Sequence, residues 1–192
     1  MTNRIINERE RALEDEYFHK EENALLEKLR ERGKLEEIAE ALAKKLEVED
    51  PDLLHRIIGL GVTLDTGPAF LLAPLVQVAW AEGKVSEREH ETVLRLARER
   101  GLEETSPAYA QLVEWLRVRP VDALFDTAVK AIKTALAVLA PEERDERIGR
   151  IIDACRQIAE VSGGLAKLLG LSSGASLEEE SLLDAIAATL RG

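Results

Sequence analysis

Residues 78–89 read Val-Ala-Trp-Ala-Glu-Gly-Lys-Val-Ser-Glu-Arg-Glu, and this stretch predicts the end of one helix, a turn and the start of another. Gly83 suits the turn because glycine tolerates backbone angles that other residues avoid. Ser86 followed three residues later by Glu89 is the capping-box pattern, in which each side chain accepts a hydrogen bond from the other residue's backbone N–H. Apolar residues recur at helical spacing on both sides of the turn. The stretch therefore predicts a helical hairpin.

Helical periodicity extends along the rest of the chain. No segment shows strict apolar–polar alternation between turn residues, so we predict no strands and an all-α fold. Pro74 removes a backbone donor inside the most apolar segment, where we expect a kink or a late helix start. The predicted helices cover 4–32, 34–46, 50–59, 63–81, 86–101, 106–118, 121–139, 141–161 and 177–190, and the glycine-containing stretch 162–175 is predicted to be a loop.

The composition excludes several functional classes. The 192 residues contain 37 Asp and Glu against 26 Lys and Arg, which gives a formal net charge of −11. Because this charge repels a phosphate backbone, we expect no binding of nucleic acid. Cys155 is the single cysteine, which rules out an internal disulfide and a thiolate metal site and favours a reducing compartment.

Targeting and membrane signals are weak. The first eight residues lack the apolar core of a signal peptide, so we expect no export by that route. The most apolar run, Thr66 to Ala81, is shorter than the roughly 20 residues that a membrane span needs. We therefore expect a buried core helix there, no direct membrane insertion and a cytoplasmic location.

Two parts of the chain resemble each other. In the first, Glu82 precedes the turn, and the Ser86 and Glu89 pair follows it. In the second, Glu160 lies near the end of a helix, and Ser176 with Glu179 repeats the capping-box register after a longer loop. We predict an internal pseudo-repeat that gathers these carboxylates if the two turns lie side by side.

Residues 78–89, followed by the helix through Leu102, resemble the signature of the TerB-like domain family, which is named for bacterial tellurite resistance and is similar to the amino-terminal part of some membrane-linked J-domain co-chaperones. The resemblance covers about 63–190. It implies a compact multi-helix bundle with internal pseudo-symmetry, a bacterial cytoplasmic setting, and a stress-response or binding role without established catalysis. We accordingly predict an amino-terminal helical arm over 1–61 and a TerB-like domain over 62–192.

The resemblance also implies divalent-metal binding at the acidic turns. Glu82, Glu89, Glu160 and Glu179 are the candidate ligands, because carboxylate oxygens suit hard cations such as Mg²⁺ and Ca²⁺. Mn²⁺ and Zn²⁺ are the other candidate ions. Glu82 stands where the family usually has Asp. The alternative for Glu89 and Glu179 is a purely structural role, since glutamate at the third position after a Ser cap satisfies backbone donors.

A ferritin-like di-iron carboxylate protein is the alternative function. Glu16 with His19, and Glu87 with His90, both have the Glu-x-x-His spacing that places two ligands on one helix face. Helical-wheel positions argue against it, because the first pair falls away from the apolar stripe of its helix and Glu87 falls in a first turn beside solvent.

Other features favour a non-catalytic protein. Cys155 has apolar neighbours at helical spacing and no histidine near it in sequence, which is typical of a buried cysteine. Trp80 and Trp115 lie in apolar helical patterns that predict core or groove-lining positions. The charged helix over 4–32 has a narrow apolar stripe, so we expect it to pack on the domain, on a second copy or on a protein partner. A purely structural helical adaptor remains a further alternative.

Overall fold

The computed structural model describes residues 27, 33, 36–162 and 176–192, and every regular element in these residues is a helix. The predicted all-α class is therefore confirmed. The predicted helix over 4–32, except residue 27, and the predicted loop over 163–175 lie outside the described residues. In the described ranges, no helix combines the length and the apolar character that crossing a membrane requires.

The chain divides into two compact units, Met1–Glu40 and Ala41–Gly192. In the smaller unit, every described residue is helical. In the larger unit, Leu42 and Leu46 are buried in the same core as Ile57. Residues 41–61 thus belong to the larger unit, whereas the division into an arm and a TerB-like domain at residue 61 stays a prediction.

Nine helices are named here, in chain order, for the described residues. They are α1 (36–46), α2 (Pro51–Gly59), α3 (Gly67–Phe70), α4 (Ala73–Ala79), α5 (Glu87–Glu99), α6 (Pro107–Arg117), α7 (Asp122–Ala137), α8 (Pro141–Ser162) and α9 (Leu177–Arg191).

Helix starts follow local side-chain chemistry. The Asp50 carboxylate caps α2 by accepting hydrogen bonds from the backbone N–H groups of Asp52 and Leu53, and the Ser106 hydroxyl accepts one from Tyr109 at the start of α6. Such caps satisfy N–H groups that have no partner within the helix. The capping box predicted at Ser86 is present at α5.

The predicted helix over 63–81 divides into two shorter helices. Thr63 and Thr66 bond reciprocally, each hydroxyl accepting from the other residue's backbone N–H, which holds a turn instead of a helix. Helix α4 then begins at Ala73 with Pro74 in its first turn. Proline suits that position because the N–H it lacks has no helical partner there. The predicted late start near Pro74 is confirmed.

Within the larger unit, α4 lies at the centre of the packing. It contacts α5, α6, α7, α8 and α9, and α8 in turn packs against α5 and α9. Six of the seven residues of α4 are buried, which explains its nearly continuous apolar sequence. The largest fully buried side chains in this core are Phe70 and Phe125.

Candidate functional site

The two acidic turns lead into helices with the same cap. In α5, the Ser86 backbone N–H donates to Glu89 Oε2 at 2.6 Å, and the Glu89 N–H donates to the Ser86 hydroxyl at 3.3 Å. In α9, Ser176 and Glu179 repeat these bonds at 2.7 and 3.3 Å. The second capping box confirms the register predicted after Ser176, whereas the pseudo-repeat as a whole stays a prediction.

The four candidate ligands differ in exposure. Glu89 and Glu179 are buried, with relative exposures of 3% and 0%. Glu82 and Glu160 are exposed. Carboxylates are seldom this deeply buried unless they have hydrogen-bond partners, and the capping boxes supply such partners. Glu89 and Glu179 therefore have a structural role as helix-capping residues, whether or not they also bind a ligand.

The charges of Glu82 and Glu179 act on the Glu89 carboxyl. Burial raises the pKa of the Glu89 carboxyl above 4.5, hydrogen bonds from Ser86 oppose the rise, and the charges of Glu179 and Glu82 add to it. The effect of Glu179 shows that glutamates from the two acidic segments lie within electrostatic range. Glu160 exerts no such effect on Glu89. The structure thus brings together Glu82, Glu89 and Glu179 as electrostatic neighbours.

These residues do not form a ready-made metal centre. Across 36–162 and 176–192, no group of three or more His, Cys, Asp or Glu side chains is arranged to hold a metal ion. One Glu89 oxygen already accepts the Ser86 N–H. Of the three electrostatic neighbours, exposed Glu82 is the one that takes part in neither capping box, so it is able to reorient toward a cation without breaking a cap.

The raised pKa of Glu89 leads to a pH prediction. A raised folded-state pKa means that the folded protein binds more protons than the unfolded chain between 4.5 and that pKa, so stability falls as pH rises through this interval. Glutamine also serves at this capping-box position. We expect Glu89→Gln to remove this loss and to be at least as stable as the unmodified protein at pH 7.

Urea unfolding of both proteins from pH 4 to pH 8 would measure the effect. Exposed Glu87→Gln, two residues earlier in the same helix turn, is the matched control, because it removes the same charge from a position outside the core. A marked loss of stability in Glu89→Gln at pH 7 would contradict the prediction, because the buried charge would then be net favourable.

The di-iron candidates are only partly described. Glu16 and His19 lie outside the described residues. Glu87 is exposed in the first turn of α5, as the helical wheel predicted, and His90 is half-buried. Both line a shallow cavity beside Glu91 and Arg95. In the described residues, their surroundings supply no third ligand at metal-binding geometry.

The remaining singled-out residues lie where their patterns predicted. Cys155 is fully buried in the core. Trp80 and Trp115 are half-buried against the core, and the Trp80 indole N–H donates to the Trp115 carbonyl at 2.8 Å. Sequence reasoning did not single out Arg100, which directly follows α5 and acts electrostatically on Cys155.

Comparison with known proteins assigns no family and no function to this chain. The TerB-like resemblance accordingly stays a prediction based on residues 78–89. No protein-family model, curated protein or solved structure matches this chain.

Proposed function

We propose that this chain is a non-catalytic, TerB-like binding module whose acidic turns respond to a divalent cation. One observation carries the proposal: the Glu89 carboxyl lies within electrostatic range of both Glu82 and Glu179. Like charges held close together repel, and a cation placed among them relieves that repulsion. The stress-response role comes from the resemblance alone.

The geometry defines what such a cation would meet. Glu82 is exposed just before the turn at Gly83, whose φ of 79° is a left-handed angle that favours glycine. The Glu89 carboxylate, in the first turn of α5, is fixed by the capping box. A hard cation that uses oxygen ligands and retains several waters suits one exposed and one fixed carboxylate, which favours Mg²⁺ over ions that need a full protein cage.

Calorimetric titration of the chelator-treated protein with Mg²⁺, Ca²⁺, Mn²⁺ and Zn²⁺ would test the proposal. We expect one ion to bind and Glu82→Gln to weaken its affinity by roughly tenfold, which is about 1.4 kcal/mol. The variant Glu160→Gln tests the second turn independently of the first, because Glu160 is exposed and is not among the charges that raise the pKa of Glu89.

Each outcome has a definite meaning. Loss of binding in Glu82→Gln alone would place the ion at the first turn, and loss in both variants would support a site shared by the two turns. Absence of binding by all four ions would contradict the cation response. The glutamates would then be helix caps and surface groups, as the structural-adaptor alternative predicts.

A further inference from the structure

A cavity of about 410 Å³ lies within the larger unit, and none of the four candidate glutamates lines it. Residues from α1, from the link between α3 and α4, and from α4, α7 and α8 form its walls. This volume falls in the range of roughly 300–1,000 Å³ that is typical of small-molecule sites. Its apolar lining consists of Leu46, Leu71, Leu72, Leu75, Ile132, Ala135, Leu136 and Ile151.

The charged residues of the cavity are mostly cationic. Lys45, Arg100, Arg147 and Arg150 line it, against the single carboxylate of Glu47. The chain as a whole carries a net charge of −11, so this local excess of positive charge runs against the overall composition. Such an arrangement concentrates anions at one place on an otherwise repulsive surface.

Two of the four cations have no carboxylate partner within the part of the chain that the structure describes. The Lys45 ammonium donates to the Leu64 carbonyl at 2.7 Å, and the Arg100 guanidinium donates to the Leu96 carbonyl at 2.9 Å. Each of these groups has further donors, because an ammonium has three and a guanidinium five. Both cations are therefore able to accept an anion without giving up a salt bridge.

The other two cations are paired weakly. Arg147 and Arg150 form salt bridges with Glu143 and Glu146, one helical turn earlier in α8, and all four side chains are about half exposed or more. Exposed pairs of this kind contribute little. Breaking either pair to bind an anion at the cavity therefore costs little free energy.

Another cavity provides a contrast. It lies beside α1 and α2, has a volume of about 720 Å³ and is lined by apolar residues together with Lys44, Glu47 and Glu49. Its charged residues are one ammonium group and two carboxylates, so negative charge is in excess there. The cationic excess is thus a property of the first cavity and not of apolar cavities throughout the larger unit.

We propose that the cavity lined by Lys45, Arg100 and Leu75 of α4 binds an aliphatic carboxylate, with the hydrocarbon tail of the ligand against the apolar wall and its carboxylate between the two cations. The apolar wall favours an aliphatic body because burying each CH₂ group is favourable. Charge-assisted hydrogen bonds favour a carboxylate over an alcohol head group. This inference goes beyond the proposed cation response and is independent of it.

Calorimetric titration of the full chain with dodecanoate, octanoate and dodecanol tests the proposal. We expect dodecanoate to bind at least roughly tenfold more tightly than octanoate, because four more CH₂ groups are partly buried. Dodecanol should bind at least about tenfold more weakly than dodecanoate. Shifts of the Leu71 and Leu75 methyl resonances on addition of dodecanoate would locate the ligand.

The double variant Lys45→Gln, Arg100→Gln should weaken dodecanoate binding by roughly tenfold or more. The matched control is the double variant Lys84→Gln, Arg88→Gln. It also removes one lysine and one arginine charge, but from exposed positions outside the cavity. Thermal unfolding of both variants checks that they remain folded. The single variant Leu71→Ser, at a partly exposed wall position, replaces the double variant if that protein does not fold.

Several results would overturn the proposal. Equal affinity for dodecanol, equal weakening by the control variant, or no methyl shifts at Leu71 and Leu75 would each do so. Binding to phosphatidylglycerol vesicles without binding of free dodecanoate would identify a membrane surface as the partner instead. Failure of the cation experiments at Glu82 leaves these results unchanged, because the two sites share no residue.

Discussion

Phe125→Ala should lower the free energy of unfolding by about 3–5 kcal/mol, the largest stability loss that we expect from a single side-chain truncation in this protein. Phe125 in α7 is fully buried, so the truncation removes apolar contacts and leaves a cavity in the core. The Arg119 guanidinium, 5.5 Å above the centre of the ring, also loses a cation–π contact. Urea unfolding monitored by circular dichroism would measure the change.

Two controls isolate the effect of burial. Phe125→Leu retains most of the volume and should cost less than the alanine variant. Leu177→Ala truncates a side chain that is 81% exposed at the start of α9 and should change stability by no more than about 0.5 kcal/mol. A loss below about 1 kcal/mol in Phe125→Ala would contradict the buried position, since cavity formation at a packed site costs more.

The Cys155 thiol should react with a disulfide reagent about a thousandfold more slowly in the folded protein than in the unfolded chain. Burial raises its pKa from 9.0 to about 12, although the positive charge of Arg100 opposes the rise. Three pKa units reduce the reactive thiolate by about a thousandfold near neutral pH, and full burial blocks the reagent as well.

Absorbance after addition of the reagent at pH 8, with and without 6 M guanidinium chloride, would give the two rates. Arg100→Gln is an informative variant, because loss of the nearby positive charge should leave the folded thiol at least as unreactive. Rapid labelling of the native protein would contradict the prediction unless hydrogen exchange showed frequent opening of α8.

A raised folded-state pKa also means that the stability contributed by the protonated thiol is lost as pH rises from 9.0 through about 12.

Local signals made parts of the fold predictable. The capping box at Ser86 and Glu89 lies within four residues, so the sequence alone contains both partners of each hydrogen bond. The helix predicted from Thr63 begins four residues late, at Gly67. Thr63 and Thr66 favour a turn there because their hydroxyls compete for backbone donors, and a periodicity count does not weigh that competition.

The candidate site was only partly predictable. Repeat matching suggested that Glu89 and Glu179 would gather. Their interaction depends on how α5 and α9 each pack against α4 and α8 over long sequence separations. The cationic cavity has no local signature at all. Lys45 and Arg100 are 55 positions apart in the sequence, and only tertiary packing places them on one cavity. Sequence motifs reveal residues that are close along the chain, and they do not reveal residues that come together only through tertiary packing.

The hydrogen bond from the Trp80 indole to the Trp115 carbonyl has a spectroscopic consequence. The chain contains two tryptophans, and this bond joins them at the contact between the end of α4 and α6. The intrinsic emission of the whole protein therefore reports on a single junction. A red shift that precedes the loss of helical circular dichroism on heating would signal detachment of α6 while the remaining helices stay folded. Filling the cationic cavity, which neither indole lines, should leave the emission spectrum unchanged.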